Sequence, residues 1–252
     1  MTGKGGDGML KDKVAVITGG AKGIGRYISH NFAREGARLA VADIDVERMK
    51  QSENELQEMG GDVFTRRCDV RVEDEVRSLM KDVASHYGRI DILVNNAGIV
   101  THFGWGVPRW PVIRDMDKNF WDKIIETNLG GTFLCTKHVL PAMQEQRSGH
   151  VINLYGGSPP NTIGSCVYSV SKDGIRTFTR FVAEEVREWN ICVVAVSPGG
   201  AIATEDAPEE VRRKMPGPEA AGNRFALAAE AGMDLSGQRL TLKDGRLEID
   251  AR

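Results

Sequence analysis

The sequence predicts an α/β domain of doubly wound topology, built on a single seven-stranded parallel sheet with helices on both faces. Short β-branched runs alternate with helix-period segments from Lys13 onward, the pattern of a parallel sheet covered on both sides. A glycine-rich turn follows the first run directly and opens the first helical segment. No internal repeat, low-complexity block or Pro/Ser linker divides the 252 residues, a length that suits one large α/β domain.

The expected strands are Val14–Thr18, Leu39–Asp43, Val63–Arg67, Ile92–Asn95, His150–Leu154, Ile191–Ser197 and Arg239–Leu242. Between them lie amphipathic stretches such as Val46–Met59 and Glu73–Tyr87, whose charged positions leave one apolar face for the sheet. Residues 1–9 are glycine-rich and polar and read as a flexible tail, so the domain covers 10–252. Two stretches break the regularity. Residues 102–117 crowd Trp105, Pro108, Trp110 and Pro111 together, as a surface excursion or a substrate-pocket wall. Residues 204–222 carry Pro208, Pro216 and Pro218 among many charges and read as a short lid over the carboxyl edge of the sheet.

Composition narrows the partners. The 33 Lys+Arg nearly balance the 35 Asp+Glu, a net charge of −2, and no basic block is present to neutralise a run of phosphates, which argues against nucleic acid. The longest apolar run, Ile191–Val196, is far short of the ~20 residues that span a bilayer, and residues 1–9 lack the apolar core of a secretory signal. Cys68, Cys135, Cys166 and Cys192 form no CxxC pair, and His30, His86, His102, His138 and His150 form no HExxH pattern. Neither disulfides nor a metal site is expected, and the chain is expected to be soluble and cytoplasmic. Its partner is then a small molecule or another copy of itself.

The first functional signal is Thr18-Gly-Gly-Ala-Lys-Gly-Ile-Gly25. Gly19, Gly23 and Gly25 let the backbone turn sharply and approach a pyrophosphate, while the helix that begins there presents free N–H groups and positive dipole to the anion. The placement, between first strand and first helix, is that of a dinucleotide-binding Rossmann fold. Eighteen residues after Gly25 the second strand ends at Asp43. A carboxylate there can accept from both ribose hydroxyls of adenosine and repels a 2′-phosphate, which favours NAD over NADP. Lys22 pulls the other way, since its ammonium can meet either a 2′-phosphate or the pyrophosphate; Asp43 is the sharper filter.

The chemical signal is Tyr168-Ser-Val-Ser-Lys172. Residues four apart share a helix face, so the phenol and the ammonium can serve one site. A free phenol titrates near ~10, and a nearby cation favours its ionised form. On spacing alone the two also fit an ordinary surface pair on an amphipathic helix, because Val167, Val170, Phe178, Val182 and Val186 supply an apolar stripe without them.

Taken in order, Thr18–Gly25, Asp69-Val70, Asn95-Asn96-Ala97-Gly98, Asn128, Tyr168–Lys172 and Pro198-Gly199 resemble the motifs of the short-chain dehydrogenases/reductases (SDR), over about Leu10 to Gly245. The resemblance implies an oxidoreductase in which Tyr168, Lys172 and Asn128 are catalytic, Asn128 by holding a water that passes protons to Lys172. It implies a dinucleotide held by Gly19, Lys22, Gly23, Ile24, Gly25, Asp43, Asp69, Val70, Asn95, Ala97, Gly98, Tyr168, Lys172, Pro198 and Gly199. It also implies a homo-oligomer, dimer or tetramer, acting on an alcohol or ketone.

Two departures from that family stand out. A serine normally follows the fifth strand to hold the substrate oxygen, but counting back thirteen residues from Tyr168 gives Tyr155 and aligning the strand gives Gly156. Ser158 swinging in through Gly156-Gly157, the phenol of Tyr155, or a group on the substrate are the possible substitutes. The spacing from Asn95 to Asn128 is also longer than the family's, which makes residues 102–114 look inserted, with Trp105 and Trp110 offering an apolar surface to a ring-bearing substrate. The leading reading is an NAD-dependent enzyme interconverting a secondary alcohol and a ketone. A dinucleotide-binding regulator or scaffold with weakened catalysis is the alternative that the absent serine supports; a methyltransferase ranks last, since it has no need of Tyr168 and Lys172 together.

Overall fold

A computed structural model of the chain describes residues 8–100, 110–158 and 162–250. The expected tail up to residue 7, Trp105 and Pro108 lie outside the described residues. Strands occupy Val14–Thr18 (β1), Arg38–Asp43 (β2), Val63–Arg67 (β3), Ile92–Asn95 (β4), Gly149–Leu154 (β5), Ile191–Val196 (β6), Arg239–Lys243 (β7) and Arg246–Ile249 (β8). Helices occupy Gly23–Arg34 (α1), Val46–Glu58 (α2), Glu73–Tyr87 (α3), Lys118–Ile125 (α4), Gly131–Gln146 (α5), Cys166–Glu185 (α6), Glu209–Arg212 (α7) and Arg224–Ala228 (α8).

The sheet order is β3-β2-β1-β4-β5-β6-β7-β8. Seven strands run parallel, as expected, but the seven-stranded, purely parallel sheet is corrected by β8, which pairs antiparallel with β7. The cause is local. Asp244 and Gly245 both take positive φ, 49° and 76°, and form a two-residue hairpin loop between Lys243 and Arg246, the Asp-Gly turn whose twist suits paired strands.

Both faces of the sheet are buried, so side chains of alternate parity enter different cores. Ala15, Ile17, Leu39, Val41 and Ile92 pack with Ile28 and Phe32 of α1 and Phe225 of α8. Val14, Val16, Leu93 and Val151 face the other way, onto Val76 and Leu79 of α3 and Val139 of α5. The helices are closed by their own residues. Asp45 caps α2 by accepting from the Arg48 N–H at 3.1 Å, and α3 starts on Glu73, Asp74 and Glu75 and stops at Gly88 in the left-handed conformation. Among the described residues, no helix is long and apolar enough to cross a membrane.

This order places the site. From β1 the chain winds outward to β2 and β3, then returns to β4 on the other side of β1 and winds the opposite way. The carboxyl ends of β1 and β4 therefore open a crevice between loops that leave in opposite directions. At the opposite end of the same two strands, buried Asp91 accepts from the Val14 N–H at 2.9 Å and takes a two-pronged bond from Arg89. Replacing Asp91 with Ala leaves the Val14 N–H without that acceptor, and is expected to lower unfolding free energy by about 2 kcal/mol in urea titration. An unchanged midpoint would show that this end of the seam does not limit stability.

Candidate active site

The glycine loop is held against β4 by a compact set of hydrogen bonds. Thr18 Oγ1 donates to Val94 O at 3.2 Å and accepts from the N–H groups of Asn96 and Ala97, each at 3.2 Å. Asn96 Nδ2 donates to the carbonyls of Thr18 and Gly19, at 2.9 and 2.8 Å. The loop is closed to side chains: a Cβ on Gly19 would lie 2.8 Å from Ala97 Cα, and one on Gly25 2.0 Å from Gly19 O. Ile24 follows in the first turn of α1 and packs, partly buried, on the sheet core. Thr18 and Asn96 were not singled out by sequence reasoning; the second Asn of Asn95-Asn96 was the available signal.

Asp43 ends β2 buried. One carboxylate oxygen accepts from the Ala21 N–H and the other from the Asp45 N–H, both at 3.1 Å, so it pins the glycine loop to β2. Lys22 forms an ion pair at 2.5 Å with Asp206, a residue sequence reasoning passed over. Its neighbour Glu205 accepts from the Gly23 N–H at the start of α1, at 2.8 Å. The expected lid therefore lies against the glycine loop, with Thr204 so close that a Cβ on Gly23 would meet its methyl at 2.9 Å.

Asp69 is gripped by the Arg71 guanidinium through both oxygens, which holds its carboxyl below the usual range. Val70 is buried against Gly131, where a Cβ would fall 2.6 Å from Cγ2 of Val70. Asn95 turns its amide into the core, donating to Thr136 Oγ1 and Asn153 Oδ1, and Asn153 continues the chain to Thr179 on α6 at 2.9 Å. Ala97 and Gly98 line the crevice beyond β4, with Gly98 beside the Asn128 carboxamide. Pro198-Gly199 forms a turn after β6. Gly199 takes φ +98°, and a Cβ there would overlap the buried Arg224 guanidinium at 2.2 Å, which itself donates to Ser197 O and Ala220 O.

The catalytic candidates converge from two helices. Tyr168 and Lys172 stand one turn apart on α6, both buried, with Lys172 Nζ 5.9 Å from the Tyr168 ring centroid and donating to Leu154 O at 2.9 Å. Burial pushes the phenol up to about 12 and the ammonium down to about 8. Asn128 sits in a π-helical turn, Glu126–Gly130, between α4 and α5, the wider turn that recurs at functional sites. Fully buried, its amide donates to Ile99 O and to Ser171 Oγ, and its oxygen accepts from the Ile99 N–H at 2.7 Å. Asn128 thus ties the crevice loop to the residue beside Lys172. Trp110 meets the Tyr168 ring edge-on at 6.4 Å and Phe120 at 5.0 Å.

A family model of the short chain dehydrogenases matches residues 13–214. The chain belongs to the short-chain dehydrogenase/reductase family. It is 35% identical over 212 residues to the 3-oxoacyl-[acyl-carrier-protein] reductase FabG of Staphylococcus aureus, covering 82% of each chain. Among solved structures it is similar to a short-chain dehydrogenase/reductase from Burkholderia xenovorans, with TM-score 0.82 and 29% identity over 94% of this chain and 97% of that one. It is also similar to the F189W actinorhodin polyketide ketoreductase with NADPH, with TM-score 0.79 and 30% identity over 93% and 97%.

The family binds a nicotinamide dinucleotide, and the residues here fit one. Gly19 and Gly25 leave no room for a side chain, and the Glu205 carboxylate on the Gly23 N–H shows that this helix start accepts an oxyanion. As a short-chain dehydrogenase/reductase the chain is unusual after β5. The Tyr155 phenol does not serve the site as its position in the sequence permits, because it donates to Asp250 at 2.6 Å. Gly156 faces the site instead: a Cβ built there would lie 3.4 Å from Tyr168 Oη. Ser158 Oγ, two residues on, is buried without a hydrogen-bond partner among the described residues.

The buried ammonium has a consequence for stability. Lys172 is lowered from 10.5 to about 8, so the unfolded chain binds more protons between those values. The penalty on the folded state is full below about pH 8 and fades as pH rises towards 10.5. Lys172→Met is expected to be more stable than the parent at pH 7, by about 1–3 kcal/mol after allowing for the lost bond to Leu154 O. That advantage should shrink between pH 8 and 10 in thermal melts; a pH-independent difference would refute the account.

Proposed function

We propose that this short-chain dehydrogenase/reductase interconverts a secondary alcohol and its ketone with NAD, on a hydrophobic or cyclic small molecule. The observation that carries the reading is the buried Tyr168–Lys172 pair on one face of α6, at the carboxyl end of β5. A nicotinamide dinucleotide held by the glycine loop and Asp43 would supply the acceptor for the hydride of the alcohol carbon, or its donor for the ketone. Tyr168 Oη takes the proton of the alcohol hydroxyl in one direction and donates it to the ketone oxygen in the other. Below about pH 8 Lys172 is a cation beside that phenol, and its charge opposes the upward push of burial on Tyr168. Asn128 holds the loop at Ile99 and the Ser171 hydroxyl in place, and the relay water expected from the resemblance would sit within this group. The edge-on Trp110 supports an apolar, ring-bearing substrate.

NAD is favoured by Asp43, buried at the end of β2 with its negative charge where the ribose is recognised. Four free cysteines fit a cytoplasmic setting. Self-association is supported by Phe133 on α5 and by Val170 and Phe181 on α6, large apolar side chains left exposed. Light scattering is expected to show a dimer or tetramer, and a clean monomer at micromolar concentration would count against that assembly.

Tyr168→Phe tests the chemistry. Substrate-dependent NADH formation is expected to fall by at least ~100-fold while NADH binding persists; undiminished turnover would move the scaffold reading forward. Gly156→Ser addresses the absent donor from the other side. Because a side chain there faces Tyr168 Oη, the added hydroxyl is expected to raise kcat/KM by about 10- to 100-fold. No gain, together with loss on Ser158→Ala, would show that Ser158 already fills the role.

A further inference from the structure

The lid brings two consecutive carboxylates onto the parts of the glycine loop and neighbouring helices that would otherwise present free positive charge. Asp206 lies between two cations: Lys22 Nζ at 2.5 Å and Arg48 Nη2 at 2.9 Å. The segments that carry these cations both bind Asp43 through their backbone. Lys22 follows Ala21, whose N–H binds the Asp43 carboxylate, and Arg48 stands in the first turn of α2, where its N–H is capped by Asp45. Asp45 in turn donates to Asp43. A cation beside the carboxylate that ends the second strand is the general means of accepting a 2′-phosphate. Here two such cations exist, and both are already paired within the chain. Burial works against the charged form of Asp206, yet Lys22 and Arg48 outweigh it and hold its carboxyl below the usual range.

We propose that Asp206 is a specificity-determining residue that stands in for a 2′-phosphate, holding Lys22 and Arg48 so that NADP must displace a carboxylate where NAD need not. The proposal rests on the dinucleotide reading of the site and deepens it, since it assigns discrimination to the lid as well as to Asp43. Glu205 makes the corresponding contact one step further in, on the Gly23 N–H at 2.8 Å and on Arg26 at 3.2 Å. That position serves the pyrophosphate, which both dinucleotides share, so Glu205 competes with the two equally. The pairs are partly exposed, with Lys22 at 45%, Arg48 at 38% and Asp206 at 33%. Pairs of this kind are weak and screened by salt, so the lid biases the choice and leaves the site open to a cofactor.

The test is a titration of the full chain with NADH and with NADPH at low ionic strength, followed by energy transfer from tryptophan. Asp206→Asn is expected to tighten NADPH by about fivefold, the size of a partly exposed ion pair, and to change NADH by less than about twofold. Glu205→Gln is expected to shift both dinucleotides by the same factor. Adding Lys22→Ala to Asp206→Asn is expected to cancel the gain for NADPH. An unchanged ratio of NADPH to NADH affinity in Asp206→Asn, with NADH still bound, overturns the proposal and leaves the cofactor reading intact. Failure of the unsubstituted chain to bind either dinucleotide overturns both.

Discussion

The seam between β1 and β4 is the contact on which the rest of the structure depends. Five hydrogen bonds from Thr18 and Asn96 join the end of one strand, the glycine loop and the start of the next loop. Past the ends of parallel strands the laterally directed N–H and C=O groups lose their neighbouring strand, and where two crossovers part in opposite directions nothing in the sheet satisfies them. Thr18 and Asn96 satisfy part of that demand and leave a crevice floored by backbone. The glycines follow from this closeness, because a Cβ at Gly19 or Gly25 would occupy the space that Ala97 and the Gly19 carbonyl already fill.

The catalytic pair has a different physical basis. Tyr168 and Lys172 are both buried on the helix that carries them, and the protein tolerates an ammonium whose only hydrogen bond among the described residues goes to the Leu154 carbonyl. Burying such a group opposes folding, and strained or costly groups of this kind gather at functional sites. The polar chain Thr136–Asn95–Asn153–Thr179 runs along one face of the sheet, tying α5 to α6 across two buried strands. The π-helical turn completes the arrangement by widening the helix at Asn128, so that one carboxamide reaches both the loop after β4 and Ser171.

The lid and the region after β5 are where this chain departs from the pattern of its family. Gly156 leaves the space facing Tyr168 Oη without a side chain, while Tyr155 is drawn away to Asp250 near the carboxyl end. Trp110, packed on Phe120, closes edge-on against the same phenol. The lid, meanwhile, is held to the glycine loop by charge, through Glu205 and Asp206, while Ala207 and Val211 form a small apolar cluster within it together with Ala203, and Ala221 joins the main core.

Most of the framework was legible in the sequence. The strand positions, the glycine loop and Asp43 follow from period and turn chemistry, which are local properties of the chain, whereas Tyr168 and Lys172 stood out through the resemblance of the ordered motifs to the family, since their spacing alone fits a surface pair as well. Even β8 carries a local signal in Asp244-Gly245, the two-residue turn that returns the chain beside β7. What tertiary structure alone decided are the contacts made across long separations. Asn96 rather than Asn95 holds the loop, although the two are adjacent and chemically identical, because strand alternation sends one inward and the other across the seam. Between Tyr155 and Gly156, which the sequence left open, the structure turns Tyr155 to Asp250 and Gly156 towards Tyr168 Oη. Lys22, ambiguous between pyrophosphate and 2′-phosphate in the sequence, is paired by a carboxylate 184 residues away, and no local pattern encodes which charges a lid will bring together.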